Sequence, residues 1–146
     1  MTLVDTTAPR QSESVSLEFD LHHAPSKVWR ALTDPALVSE WLLPVVDLEL
    51  RPGAEFTFNA PPQPDWDGVV NCRVVEIEAN RTLRYNWVVG DIDTIVTFTL
   101  TPTASGTRLS LVQSGFKPHQ KKNFGGARYG LKMMGGRLVD LLARIP

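Results

Sequence analysis

Cysteine is almost absent from this sequence: Cys72 is the only one in 146 residues, so no disulfide can form within the chain. Secreted domains commonly rely on disulfides, so the composition favours a reducing, cytoplasmic location and a fold stabilised by burial alone. No segment approaches the ~18 continuous apolar residues of a membrane-spanning helix. Residues 1–14 lack the basic head and apolar run of a signal peptide, so we expect neither export nor membrane association.

Strong net charge is also missing. The 15 basic and 16 acidic side chains leave a formal charge of −1, which gives no field that attracts nucleic acid or anionic lipid. Three histidines and one cysteine without ligand spacing argue against a metal site, and we predict no cofactor. The Gly-x-Ser-x-Gly nucleophile motif is absent, and Gly125-Gly126 lacks the Lys-Ser/Thr of a phosphate-binding loop. We therefore assign no catalytic residue.

The composition is that of an ordinary globular protein. Hydrophobic residues make up 42% of the chain and charged residues 21%, which at this length fits one domain with a substantial core. We expect a flexible lead-in over residues 1–13 and a single domain over residues 14–146.

A long amphipathic helix is predicted over residues 119–144, because apolar side chains recur there at alternating steps of three and four. Such a helix needs a sheet against which to bury its apolar stripe. The stripe consists of Phe124, Ala127, Leu131, Met134, Leu138, Leu141 and Ile145.

Most of the preceding chain alternates polar and apolar residues with the period of strands. A first strand over residues 15–21 is followed by two short helices and then by six strands of an antiparallel meander. The alternation of Val46, Leu48 and Leu50 indicates one of these strands before the Pro52-Gly53 turn. The first strand is expected to pair with the last strand or with the first strand of the meander.

The predicted fold class is therefore α+β. We expect a curved antiparallel seven-stranded sheet wrapped round a long C-terminal helix, with two short helices between strands 1 and 2.

Several local motifs add to this order of elements. They are APSKVWRALTDP at residues 24–35, LRYNW at 83–87, VTFTLTP at 96–102, GTRL at 106–109 and SGF at 114–116. In order and spacing they resemble the activator of heat-shock-protein-90 ATPase homologue family, which belongs to the START-related, birch-pollen-allergen-like superfamily. The resemblance covers residues 14–144 and implies the helix-grip fold, with an apolar cavity between the sheet and the long helix. Members of the family are mostly single-domain proteins of unknown or ligand-binding role, and some relatives in the superfamily are enzymes, such as polyketide cyclases.

The last helix departs from the family pattern. Gly130 is followed by Leu131 instead of tryptophan, and Gly135 and Gly136 stand where larger residues are common. Each helical glycine costs roughly 0.5–1 kcal/mol relative to alanine, so some compensation is expected. Close approach to a strand or another subunit, space for a ligand, and a bend near Gly135 are the three explanations. We favour the bend or the added space.

Aromatic residues that recur on single strand faces suit a mostly apolar ligand pocket, although a packed core is the alternative. Arg73 shares parity with Val75 and Ile77, so without a bulge it would point inward and could bind an anionic group. Gln113 is a candidate polar contact, or a buried glutamine satisfied by backbone. Trp41 and the loop over residues 61–66 are candidate entrance elements. The predicted ligand-binding residues are Trp41, Phe56, Phe58, Arg73, Tyr85, Trp87, Phe98, Gln113, Leu131 and Met134.

Three functions are compatible with this sequence. Binding of a small hydrophobic or aromatic molecule is favoured. A cyclase- or hydrolase-like enzyme requires at least two polar side chains converging in the cavity, with Arg73, Gln113 and Tyr85 as candidates. A protein-interaction module that modulates a chaperone requires an exposed apolar or basic patch, for which the basic start of the last helix is a candidate. A homodimer is compatible with all three, because strand edges and the glycine-bearing helix can pair.

Overall fold

One antiparallel sheet of eight strands and a long C-terminal helix make up the fold, and the computed structural model describes residues 2–8 and 12–146. Two short helices follow the second strand, and a 3-10 turn, Pro118–Gln120, precedes the long helix. The strands are β1 Thr2–Asp5, β2 Ser14–Leu21, β3 Val45–Val46, β4 Glu55–Asn59, β5 Val69–Glu78, β6 Thr82–Val89, β7 Ile92–Thr103 and β8 Gly106–Ser114. The helices are α1 Pro25–Thr33, α2 Pro35–Trp41 and α3 Lys121–Arg144.

The sheet has the order β1-β2-β8-β7-β6-β5-β4-β3, with antiparallel pairing throughout. The predicted pairing of the first long strand with the last is confirmed, because β2 pairs with β8. The expected strand count of seven is wrong. Thr2–Asp5, within the segment predicted as a flexible lead-in, forms β1 at the edge of the sheet, with Leu3 opposite Phe19. Residues 1 and 9–11 of that segment lie outside the described residues.

The meander begins differently from the prediction. β3 is only Val45–Val46, because Asp47 adopts a positive φ of 63° that takes the chain out of the ladder. Leu50, which was expected on a buried strand face, is 47% exposed. Apolar alternation alone did not show where this strand ends.

Each of the two short helices begins at a proline, as the sequence pattern indicates. Pro25 and Pro35 each occupy the first turn of a helix, where the missing N–H costs nothing. The Asp34 carboxylate accepts a hydrogen bond of 3.0 Å from the Ala36 N–H and so caps α2.

Gly135 allows close packing of the long helix against the sheet. The expectation of a bend or of added space at this glycine is therefore wrong. A methyl group at Gly135 would lie 2.5 Å from Leu3 Cδ1 and 2.8 Å from Phe19 Cζ. The glycine therefore lets α3 approach β1 and β2. Apart from the adjacent residues and the backbone of α3 itself, no atom of the described part of the chain lies within 4 Å of a Cβ built at Gly130 or Gly136.

Candidate functional site

The inward face of the sheet carries a continuous cluster of aromatic rings. Phe56 and Tyr85 have ring centroids 5.2 Å apart, Phe58 and Trp87 5.1 Å, and Tyr85 and Phe98 6.0 Å. β4, β6 and β7 position these rings, because alternate residues of each strand face the same side. The structure thus brings together the five strand aromatics predicted for the site.

One edge of this cluster is only half-buried. Phe58 is 1% exposed, whereas its neighbour Trp87 and its cross-strand partner Val45 are intermediate in burial. Leu43, Leu48 and Met134 are also partly buried apolar residues packed against the core. A partly exposed apolar edge beside buried aromatic rings is the kind of surface by which an apolar molecule can enter.

Trp41 is not an entrance element. It is 1% exposed, its indole N–H donates a 2.8 Å hydrogen bond to the Ala31 carbonyl, and its ring meets Phe98 edge-on at 6.2 Å. The side chain fixes α2 to α1 and to β7, and its hydrogen-bond donor is already used. Its position is that of a core residue.

Tyr85 and Cys72 face the interior as neutral groups. Burial, with a smaller effect from Cys72, raises the pKa of the Tyr85 phenol well above its usual value. Burial also raises the pKa of the Cys72 thiol to about 12. Neither side chain is a nucleophile or a general base near neutral pH, because each keeps its proton there.

Gln113 is a polar side chain on the same face, as the sequence predicted, and is 4% exposed. Its amide N–H donates to Thr94 Oγ1 at 2.9 Å, and the Thr94 hydroxyl donates to the Trp87 carbonyl at 3.0 Å. A side-chain partner holds the glutamine, instead of the backbone partner considered as the alternative. Thr94 was not among the site residues predicted from sequence. Its position between Ile92 and Val96 on an apolar strand face could have indicated a buried polar side chain.

Arg73 lies on the outer face of the sheet, which corrects its predicted inward orientation. The β5–β6 register shifts between Val74 and Glu76, so parity with Ile77 does not extend back to Arg73. Cys72 and Val74 are the buried residues on either side. The Arg73 guanidinium forms an exposed ion pair with Glu55, and no cationic anchor reaches the aromatic cluster from this strand.

The backbone of the long helix comes closest to one edge of the sheet. The backbone of α3 is close to β1, β2, α1 and α2, and the aromatic strands β4, β6 and β7 are not among the close neighbours recorded for the described residues. Leu131 is 7% exposed and belongs to the core, and Met134 is partly buried against it. The backbone contacts of α3 are therefore with α1, α2 and the β1–β2 edge of the sheet.

Two surface grooves lie away from this region. A groove of 460 Å³ on the outer face of β4–β6 includes Arg73 and Glu55 in its lining. A second, of 710 Å³, lies between residues 62–67 and the β6–β7 turn, with Trp66 at its side. The Trp66 indole N–H donates to the Val69 carbonyl at 2.9 Å. Over the described ranges, no three His, Cys, Asp or Glu side chains are grouped as metal ligands.

The sequence comparison agrees with this architecture. Residues 22–143 match the family described as activator of Hsp90 ATPase homolog 1-like protein. The chain belongs to this family. The helix-grip fold predicted from the resemblance is confirmed, with the strand count corrected above. No curated protein is significantly similar in sequence to this family member.

Solved structures similar to this family member share its fold. Protein MLL2253 from Mesorhizobium loti is 41% identical, with 91% of this chain and 98% of that chain covered and a TM-score of 0.84. Protein CV1439 from Chromobacterium violaceum is 26% identical, with 91% and 99% covered and a TM-score of 0.72. DynU16, a protein in the dynemicin biosynthetic locus, is 22% identical, with 92% and 48% covered and a TM-score of 0.76, which shows a shared fold alone.

Within residues 2–8 and 12–146, no helix combines the length and the apolar character needed to cross a membrane.

Proposed function

We propose that this protein binds a small hydrophobic or aromatic molecule between the sheet and α3. The observation that carries the proposal is the cluster of aromatic rings on the inward face of β4, β6 and β7. The inward aromatic rings offer a large apolar contact area at low cost in side-chain entropy. The half-buried edge at Trp87 and Val45 offers a route to them.

Family membership and the fold of DynU16 support binding in this region. DynU16 belongs to a biosynthetic locus, which fits a fold that handles small organic molecules. The cyclase- or hydrolase-like alternative loses Arg73, which lies on the outer face. The small-molecule partner, the cytoplasmic location and the homodimer remain predictions from sequence.

Leu131 offers a direct test, because tryptophan is usual after the helix glycine in this family and leucine leaves more room. Leu131→Trp should fill space that the ligand would use, whereas Met133→Trp adds the same ring on the outer side of α3, where Met133 is 47% exposed. The two variants form a matched pair on one helix.

The measurement is the thermal shift of the native chain with neutral aromatics, fatty acids and polyketides. A compound at about 100 times its Kd stabilises the folded state by about 2.7 kcal/mol, which for a domain of this size raises Tm by several degrees. We expect at least one compound to produce this shift in the wild type and in Met133→Trp, and none in Leu131→Trp. Absence of any shift in the wild type, or an equal shift in both variants, would overturn the proposal.

A further inference from the structure

Two polar side chains on the inward face have unused hydrogen-bonding capacity. Tyr85 and Gln113 are each 4% exposed. The Tyr85 hydroxyl makes no hydrogen bond with any residue that the structure describes, and the Gln113 side-chain carbonyl accepts none from them. Burying such groups without partners costs about 1–3 kcal/mol each, so a fold seldom keeps them on an apolar face without a use.

These two oxygens also differ in solvent exposure from the unpaired polar atoms that are completely buried in the described part of the protein. In the described part of the chain, the side-chain atoms that are both enclosed and unpaired belong to His23, Arg84 and Thr103. The Tyr85 and Gln113 oxygens are unpaired but not enclosed. Each therefore keeps a small exposed surface on the inward face, although the residue as a whole is buried.

The sheet register relates the two side chains to one another. Tyr85 is opposite Val96, and Val96 is opposite Gln113, so the three residues form one row across β6, β7 and β8. Strands lie about 4.8 Å apart, which places the Tyr85 and Gln113 Cα atoms about 10 Å from each other. The residue between them is a short valine, and its neighbour on the same face is Thr94. The row thus has the buried apolar side chain of Val96 at its centre and a polar side chain on either side.

Charge is absent from this row. The buried polar residues within the described ranges are threonines and glutamines, Thr33, Thr94, Thr107, Gln113 and Gln120. The nearby charges of Glu55 and Arg73 are on the outer face, paired with each other. An ionised ligand group would lose its hydration without gaining a counter-charge, so the row selects against a carboxylate.

We propose that Tyr85 and Gln113 are the polar anchors of the ligand and that the ligand is a neutral hydroxylated aromatic molecule. This inference rests on the proposed function and specifies its ligand class. The Gln113 carbonyl can only accept, so the ligand supplies a hydroxyl or N–H donor there. The Tyr85 phenol donates to, or accepts from, a second polar group, while the rings of Phe58 and Trp87 contact the aromatic body.

Three probes with the same aromatic ring system separate the effects of apolar contact, a neutral hydroxyl group and a negative charge on affinity. They are naphthalene, 2-naphthol and 2-naphthoate. Binding to the native chain would be measured by saturation-transfer NMR with titration. A net hydrogen bond is worth about tenfold in affinity, so 2-naphthol should bind about tenfold more tightly than naphthalene. 2-Naphthoate should bind more weakly than either.

The variants Tyr85→Phe and Gln113→Met remove the polar atoms and keep the volume. At least one should reduce the affinity for 2-naphthol to about that of naphthalene, and both should leave naphthalene binding unchanged. Tyr129→Phe is the matched control, because Tyr129 is 70% exposed on α3, and it should change neither affinity.

The outcomes distinguish the two proposals. If naphthalene and 2-naphthol bind the wild type equally, or if both variants weaken both probes to the same degree, the site exists but the anchors are wrongly assigned. If 2-naphthoate binds best, the neutral class is wrong. If none of the three probes binds the wild type, the proposed binding site is itself rejected, and the anchor assignment with it.

Discussion

At the residue scale, burial on the inward face of the sheet keeps the Cys72 thiol protonated and therefore unreactive. It is 4% exposed, opposite Phe56 in the β4–β5 ladder, and burial raises its pKa to about 12. The thiolate is the reactive form, and a free cysteine has a pKa of about 8.5. At pH 8 the folded protein should therefore hold far less thiolate than the unfolded chain.

We expect alkylation of native Cys72 by iodoacetamide at pH 8 to be at least about a hundredfold slower than in denaturant. Mass spectrometry of timed samples, with guanidinium-unfolded protein as the control, measures the ratio. Rapid complete labelling of the native chain would contradict the burial of this thiol.

Residue orientation was predictable where strands are regular and failed where they are not. Phe56, Phe58 and Tyr85 face inward because β4 and this part of β6 keep a strict period of two. Arg73 was misplaced because a bulge two residues further along β5 changes parity, and a bulge leaves little signal in the sequence. The unused oxygens of Tyr85 and Gln113 could not be predicted, since they depend on what neighbouring strands place beside them.

At the scale of the element, the glycines of α3 have two different physical roles. Gly135 is buried against Phe19 and Leu3, whereas Gly136 is exposed and has open space where a side chain would be. The same substitution at these adjacent positions therefore has opposite consequences.

Gly136→Ala should stabilise the protein by about 0.5–1 kcal/mol, because alanine is the better helix former. Gly135→Ala should destabilise it by about 1–3 kcal/mol, because the methyl group overpacks a closed core at the Phe19 ring. Denaturant unfolding of both variants and the wild type measures the free energies. Stabilisation by Gly135→Ala would mean that α3 has room at this point and does not closely approach β2.

Helices were easier to predict from sequence than the short strands. The stripe of α3 and the prolines of α1 and α2 are local signals, and they gave these elements correctly. β3 and β1 are stabilised by pairing and not by their own periodicity. β3 ends after two residues, before Asp47, and the residues of β1 pair with partners in β2 that lie at least 12 positions further along the chain. Tertiary contact decides such strands, so sequence pattern alone does not find them.

At the scale of the whole molecule, Asp5 joins the two ends of the chain. Its carboxylate accepts a 2.6 Å hydrogen bond from Arg128 Nε and lies 3.5 Å from Lys132 Nζ. It also accepts a 3.0 Å hydrogen bond from the Thr7 N–H. With Leu3 packed at Gly135, these contacts fasten β1 to α3 as well as to β2.

The pKa of Asp5 sets the pH at which this attachment weakens. Burial by itself raises the pKa of the carboxyl, but the hydrogen bonds from Arg128 and Thr7 and the charge of Arg128 outweigh it and hold the pKa below its usual value. A lowered folded-state pKa stabilises the fold fully above the unfolded value of about 3.9, and the stabilisation is lost as the pH falls through the lowered value.

Asp5→Asn should therefore destabilise the protein by about 1 kcal/mol at pH 7, since the partners are partly solvent-screened. It should also speed amide hydrogen exchange in β1, because the strand loses its charged attachment to α3. The difference from wild type should shrink below about pH 4, because the carboxyl of the unfolded wild-type chain then takes up a proton while that of the folded chain stays ionised. Asp20→Asn, whose side chain is 55% exposed on β2 and lies 3.9 Å from His22, is the control and should change neither quantity appreciably. Equal effects of the two variants at pH 7, or an Asp5→Asn effect that does not change with pH, would show that the ion pair does not hold β1 against the helix.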